Sequence, residues 1–225
     1  MSWFTNFLTS SIGKKLIMSL TGLFLILFLK VHLLGNLQLL KDDGGLAFNT
    51  YAHFMAHNPL IKFISYGNYF FILLHFMMGM YLWRKNREAK GQSYAVSNHR
   101  DTTWSSRNMA LLGMLVLAFL LLHMGDFWWK MKFGSTDLVM AGDIEVKDLY
   151  SKVYASFKVT WIVVAYLIGL LALAFHLYHG FSSAFQTLGL NHSKYTPVIK
   201  FLGTAFSILV PLAYAIIPLV FYFTK

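Results

Sequence analysis

LIMSLTGLFLILFLKVHLLGNLQLL, residues 16–40, carries one lysine and no acid. A bilayer core of roughly 30 Å is crossed by about 20 apolar residues of helix, so this stretch reads as a transmembrane span. Further stretches qualify at about 63–83, 108–128, 158–186 and 198–223. The whole chain agrees: of 225 residues, 57% are hydrophobic and 12% charged, and the mean hydropathy is +0.55. Soluble domains carry about 25% charged residues, and half that fraction leaves too little polar surface to cover a globule. The expectation is an all-α membrane protein with five transmembrane helices, one domain over 1–225. The lack of cysteine excludes disulfides, thiolate zinc sites, cysteine-ligated iron–sulfur clusters and covalent c-type haem.

The segments between spans hold nearly all the charge, and they set an orientation. The opening MSWFTNFLTSSIGKK does not read as a secretory signal, because Lys14 and Lys15 lead into a full span with no small-residue cleavage pattern. Trp3, Phe4, Phe7, Leu8 and Ile12 suggest a short amphipathic lead-in at the interface. With the N-terminus cytoplasmic, that side collects Lys14, Lys15, Lys85, Lys90, Lys194, Lys200 and every arginine (Arg84, Arg87, Arg100, Arg107), against Glu88 and Asp101 alone. Eight basic and seven acidic residues mix on the other side. Basic residues near span ends mark the cytoplasmic face, so the net charge of +10 reads as a topology signal and no nucleic-acid partner is expected.

Four of the nine histidines lie well inside spans: His32, His75, His123 and His176, one on each of the first four helices. Ionisable side chains are expensive at membrane depth, so each needs a partner or a role. A hydrogen bond to a neighbouring helix is the plain alternative for any one of them. Depth sorts them. His32 and His123 each stand about 24 Å up an outward-running helix, whereas His75 and His176 stand about 13–15 Å above the inner boundary on inward-running ones. The result is two level pairs, one above the other.

Two level histidines on facing helices are what a six-coordinate haem requires, and two such haems would form an electron path across the membrane. A small metal ion fits less well, because a pair of histidines without nearby carboxylates leaves it under-coordinated. Gly22 and Gly113 each precede an upper histidine by ten residues, near the height of the lower pair, where a missing side chain would admit a macrocycle; ordinary close packing of membrane helices reads the same way.

The chain resembles, over nearly its whole length, the five-helix dihaem cytochrome b subunit of succinate dehydrogenases and fumarate reductases, the b558-type membrane anchor. The resemblance rests on TGLFLILFLKVH at 21–32, AFNTYAHFM at 47–55, the His75 helix ending in a basic turn, and FHLYHG at 175–180 followed by Gly189. It implies that the first four helices form a dihaem-binding bundle, with His32 and His123 holding the distal haem b and His75 and His176 the proximal one. His179 competes with His176, and the thirteen-residue spacing to Gly189 favours His176. The resemblance also implies an iron–sulfur subunit and a flavoprotein carrying FAD docked on the cytoplasmic face, a quinone (commonly menaquinone) reacting in the bilayer, and residence in a bacterial cytoplasmic membrane. Some members carry a glutamate two residues before the fourth ligand, associated with proton return; Ala174 stands there in this chain.

Lys30 is a candidate for an ion pair with a distal-haem propionate, or simply snorkels to the outer interface. Asn36, Gln38, His53, His57 and Asp126 lie near the outer mouth as candidate quinone or proton partners, His53 first because it belongs to the matched motif. The basic segment 84–107 offers a docking surface for soluble subunits, whereas 129–157 is charge-balanced and gives no chemical signal. The alternatives are the haem b anchor of another respiratory dehydrogenase, a haem-free transporter with a histidine relay, or a bare structural anchor.

Overall fold

A computed structural model describes residues 2–90 and 103–224. In chain order the elements are α1 (Trp3–Thr9), α2 (Ser11–Asn36) with a 3-10 turn at Leu37–Leu40, α3 (Leu46–His57) and α4 (Pro59–Lys90). There follow α5 (Trp104–Arg107), α6 (Met109–His123), a π turn at Met124–Trp129 and α7 (Lys130–Phe133). The hairpin β1 (Leu138–Ala141) and β2 (Ile144–Lys147), then α8 (Leu149–Phe157), α9 (Thr160–Thr187) and α10 (Thr196–Phe223), complete the fold. Five stretches are long and apolar enough to cross a membrane: Ser11–Leu40, Pro59–Ala89, Met109–Phe133, Thr160–Thr187 and Thr196–Phe223. The chain is a multi-pass helical membrane protein.

Helix limits run beyond the apolar stretches for identifiable reasons. The first span begins at Ser11 because the Ser10 hydroxyl accepts from Gly13 N at 3.0 Å, an N-cap. Of the lead-in residues, Trp3, Phe4, Phe7 and Leu8 lie on α1, capped by Ser2, and Ile12 falls in α2. The second helix continues past 83 to Lys90, so the first part of the basic segment is helix and not loop; Arg84 pairs with Glu88 at 3.0 Å one turn on, and Arg87 lies over the Trp83 ring. The middle of that segment, with Arg100 and Asp101, lies outside the described residues. Gly189 follows α9 at φ 79°, a left-handed position that lets Leu190 N reach Phe185 O and close the helix end.

The spans pack as a ring. Close neighbours are α2 with α4, α4 with α6, α6 with α9, and α9 with α2, which leaves α2–α6 and α4–α9 as the diagonals. α10 packs outside the ring, chiefly against α9, and keeps its helical course through Pro211 and Pro218. Lys14 Nζ donates to Tyr81 OH at 2.9 Å, which joins the start of α2 to the end of α4 and defines a basic end of the bundle.

The opposite end carries the hairpin and is tied together by Asn49. This side chain of the AFN motif is 3% exposed; its oxygen accepts from Leu149 N and Tyr150 N at 3.0 and 2.9 Å, and its nitrogen donates to Asp148 Oδ1 at 3.0 Å. Asp148 in turn accepts from Ser151 N, so Asn49 locks α3 onto a doubly capped α8.

Candidate functional site

The four intramembrane histidines face each other across the two diagonals. His32 on α2 meets His123 on α6 with ring centroids 5.8 Å apart and planes at 86°. His75 on α4 meets His176 on α9 at 6.2 Å and 66°. The depth-based pairing therefore coincides with the contacts, and of the two α9 histidines His176 is the one that faces His75. Two metal–nitrogen bonds of about 2 Å, added to the rings' own radii of about 1.1 Å, place the centroids of two axial imidazoles roughly 6 Å apart. Among the described residues no three His, Asp or Glu side chains converge on one point.

Second partners orient the rings. Thr21 Oγ1 lies 3.1 Å from His75 Nδ1, and Tyr166 OH lies 3.2 Å from His123 Nδ1. With Nδ1 engaged, Nε2 is the nitrogen left for a metal. His176 Nδ1 is buried without a partner among the described residues. All four imidazoles face the bundle yet remain only partly buried, so there is space beside them.

The two levels differ in their walls. Around the upper pair stand Phe28, Phe119, Phe127 and Tyr214, each with its ring within about 6 Å of a histidine centroid, and Tyr214 donates to Leu29 O at 2.8 Å. At the lower pair the backbone comes close instead. A Cβ on Gly22 would stand 3.2 Å from His75 Cε1, and one on Gly113 would stand 4.0 Å from His176 Cε1. Both glycines thus lie against the lower imidazoles, as their spacing suggested. These features fit a planar macrocycle held by two histidines at each level.

Asn68, Thr21 and Tyr166 were not among the sequence candidates. Asn68 is 5% exposed, its Oδ1 has no partner among the described residues, and it precedes His75 by seven residues. It therefore lies on the same face of α4 about 10 Å nearer the hairpin end, level with His32 and His123. A heptad spacing of polar residues within an apolar run was the available signal.

The remaining candidates divide. Lys30 is exposed and is not brought to the upper pair, because residues two apart on a helix point about 200° apart. Asn36 spends its amide on His32 O at 2.7 Å, and Gln38 sits in the 3-10 turn. His53 stacks on His57 at 4.0 Å, in a cleft at the hairpin end. Asp126 lies in the π turn, held by Lys130 at 2.7 Å and Lys152 at 3.1 Å. Comparison of the chain with protein-family models, with curated proteins and with solved structures returns no match.

Proposed function

We propose that this chain is the membrane-anchor cytochrome b subunit of a succinate:quinone oxidoreductase, a succinate dehydrogenase or fumarate reductase. In this reading it passes electrons between an iron–sulfur subunit and a membrane quinone by way of two bis-histidine b haems. The supporting observation is the placement of four imidazoles as two diagonal pairs, 5.8 and 6.2 Å across, at two heights of one bundle.

Haem b held by two histidines would supply one-electron transfer without oxygen binding. His32 and His123 would hold one such group and His75 and His176 the other, each by Nε2. Thr21 and Tyr166 hold the outward nitrogens of His75 and His123 and so fix their ring orientation. Gly22 and Gly113 keep side chains out of the lower level. The aromatic side chains around the upper pair exclude water there.

The flavoprotein and iron–sulfur subunits, which carry the FAD and the clusters, would dock at the basic end. That end would face the cytoplasm of a bacterium, with Lys14, Lys15, Arg84 and Arg107 near it. The quinone, menaquinone in the branch the sequence resembles, would react toward the hairpin end, with Gln38 and His53 as its polar candidates.

A reduced-minus-oxidised spectrum of the purified protein, with haem quantified per polypeptide, tests the reading. Two b-type haems per chain are expected. A folded protein without haem would overturn it and favour a histidine-relay transporter; one haem would reject one of the two pairs, which single His→Ala variants would identify.

A further inference from the structure

The hairpin end holds a second polar feature, independent of the haem reading. A cleft of about 230 Å³ is lined by His53 and His57 of α3, Lys62 of α4, Lys132 of α7 and Lys147 of β2, over an apolar floor that includes Met131 and Leu149. None of the lining residues is acidic. The nearby carboxylate of Asp148 is already engaged by Asn49 and Ser151. Lys147 Nζ donates to Met131 O at 2.7 Å across the cleft, which fixes one wall, while Lys62 and Lys132 are exposed. Three ammonium groups around one concavity repel one another, and an anion relieves that repulsion.

The surroundings indicate the kind of anion. Lys62 is flanked by Leu60 and Phe63, exposed at 67% and 76%, and Lys132 by Phe133, exposed at 67%. Lys62 lies at the start of the second span and Lys132 at the end of the third. The cleft thus opens directly above apolar side chains at the level where a helix leaves the bilayer. A phosphate group there would have acyl chains beside it.

We propose that this cleft binds a phosphate anion, supplied by the headgroup of an acidic phospholipid whose chains lie along Leu60, Phe63 and Phe133. Lys62 and Lys132 close on the phosphate oxygens, with His53 and His57 as hydrogen-bonding neighbours.

The test uses the full chain, delipidated and reconstituted into nanodiscs of phosphatidylcholine alone or with phosphatidylglycerol, with the unfolding temperature as readout. Phosphatidylglycerol is expected to raise that temperature. The double variant Lys62→Gln/Lys132→Gln should lose most of the rise, and Lys194→Gln/Lys200→Gln, equal in charge but at the basic end, should keep it. Equal loss in both variants would show bulk attraction and overturn the site. A rise with inorganic phosphate in phosphatidylcholine discs, unmatched by phosphatidylglycerol, would overturn the lipid source; no rise with either would overturn the proposal altogether. Both double variants leave the four intramembrane histidines untouched, so haem content remains a separate readout.

Discussion

The hydrogen bond between Thr21 and His75 runs in one direction. The Thr21 hydroxyl lies 2.8 Å from Ile17 O, to which it donates, so its lone pair accepts from His75 Nδ1–H at 3.1 Å. In that tautomer His75 Nε2 is unprotonated, the form in which an imidazole ligates a metal. Thr21→Val keeps the shape and removes the acceptor. It is expected to weaken haem retention at the lower pair by about 10–100-fold while leaving the upper pair unaltered. Tyr166→Phe should do the reverse. Redox titration of each variant separates the two centres; equal effects on both would contradict the assignment.

Space at the lower level is a second handle. A side chain at Gly22 begins 3.2 Å from His75 Cε1, so Gly22→Leu forces the ring aside, whereas the 4.0 Å at Gly113 leaves Gly113→Ala in ordinary contact. Gly22→Leu is expected to reduce haem from two per chain to one, and Gly113→Ala to retain both. Pyridine haemochrome quantification on folded protein decides it.

Asn49 belongs to the motif that carries the family resemblance, but its bonds are structural. Asn49→Ala leaves two helix N–H groups without their acceptor and removes one of the donors to Asp148 Oδ1, which keeps its bond from Ser151 N, a cost of about 1–3 kcal/mol. The unfolding temperature should fall while any haem spectrum is unchanged. An altered spectrum would place Asn49 in the redox site instead.

The same cap has a pH dependence. Burial pulls the Asp148 carboxyl up, but hydrogen bonds from Ser151 and Asn49 outweigh it and hold the group below its ordinary value of 3.8. A carboxyl depressed in the folded state contributes stability above its unfolded pKa and loses it as pH falls through the folded one. The start of α8 is therefore expected to exchange its amides faster, relative to the intrinsic rate, below about pH 4. Asp148→Asn should show no such acid transition, and an acid transition of equal size in that variant would refute the mechanism.

His53 separates two uses of the hairpin end. If it serves a quinone, His53→Ala slows quinone turnover with both haem spectra intact. Unchanged turnover would assign it wholly to the basic cleft it shares with Lys62 and Lys132.

The long apolar runs announced the five spans, because a helix that must satisfy its backbone inside a bilayer has one solution. Even the pairing of His32 with His123, and of His75 with His176, followed from counting residues along alternating helices. What stayed hidden depended on facing. Nothing in the order Lys30, Val31, His32 says which side meets lipid until the ring of helices is closed. Thr21 and Tyr166 looked like ordinary span residues, and only a partner 54 or 43 positions away gives them a purpose. The segment 129–157 was silent chemically, although the apolar LVMA, the Gly142–Asp143 pair and the alternating IEVK together make a hairpin pattern. Lys62, Lys132 and Lys147, which the sequence shows only as basic residues mixed with acids on one side, became a cluster only when three separate elements met.

The uneven packing of the bundle bears on how such a chain matures. Within the fourth and fifth apolar windows 44% and 33% of residues are buried by protein, but within the second and third only 6%. The last two helices bury each other, whereas α4 and α6 leave most of their surface uncovered by protein. A newly inserted chain would then hold a firm C-terminal hairpin beside a loose N-terminal trio. If the proposed haems fill that ring, their insertion would be the step that locks the trio, and starvation for them would leave a half-assembled protein exposed to membrane proteases.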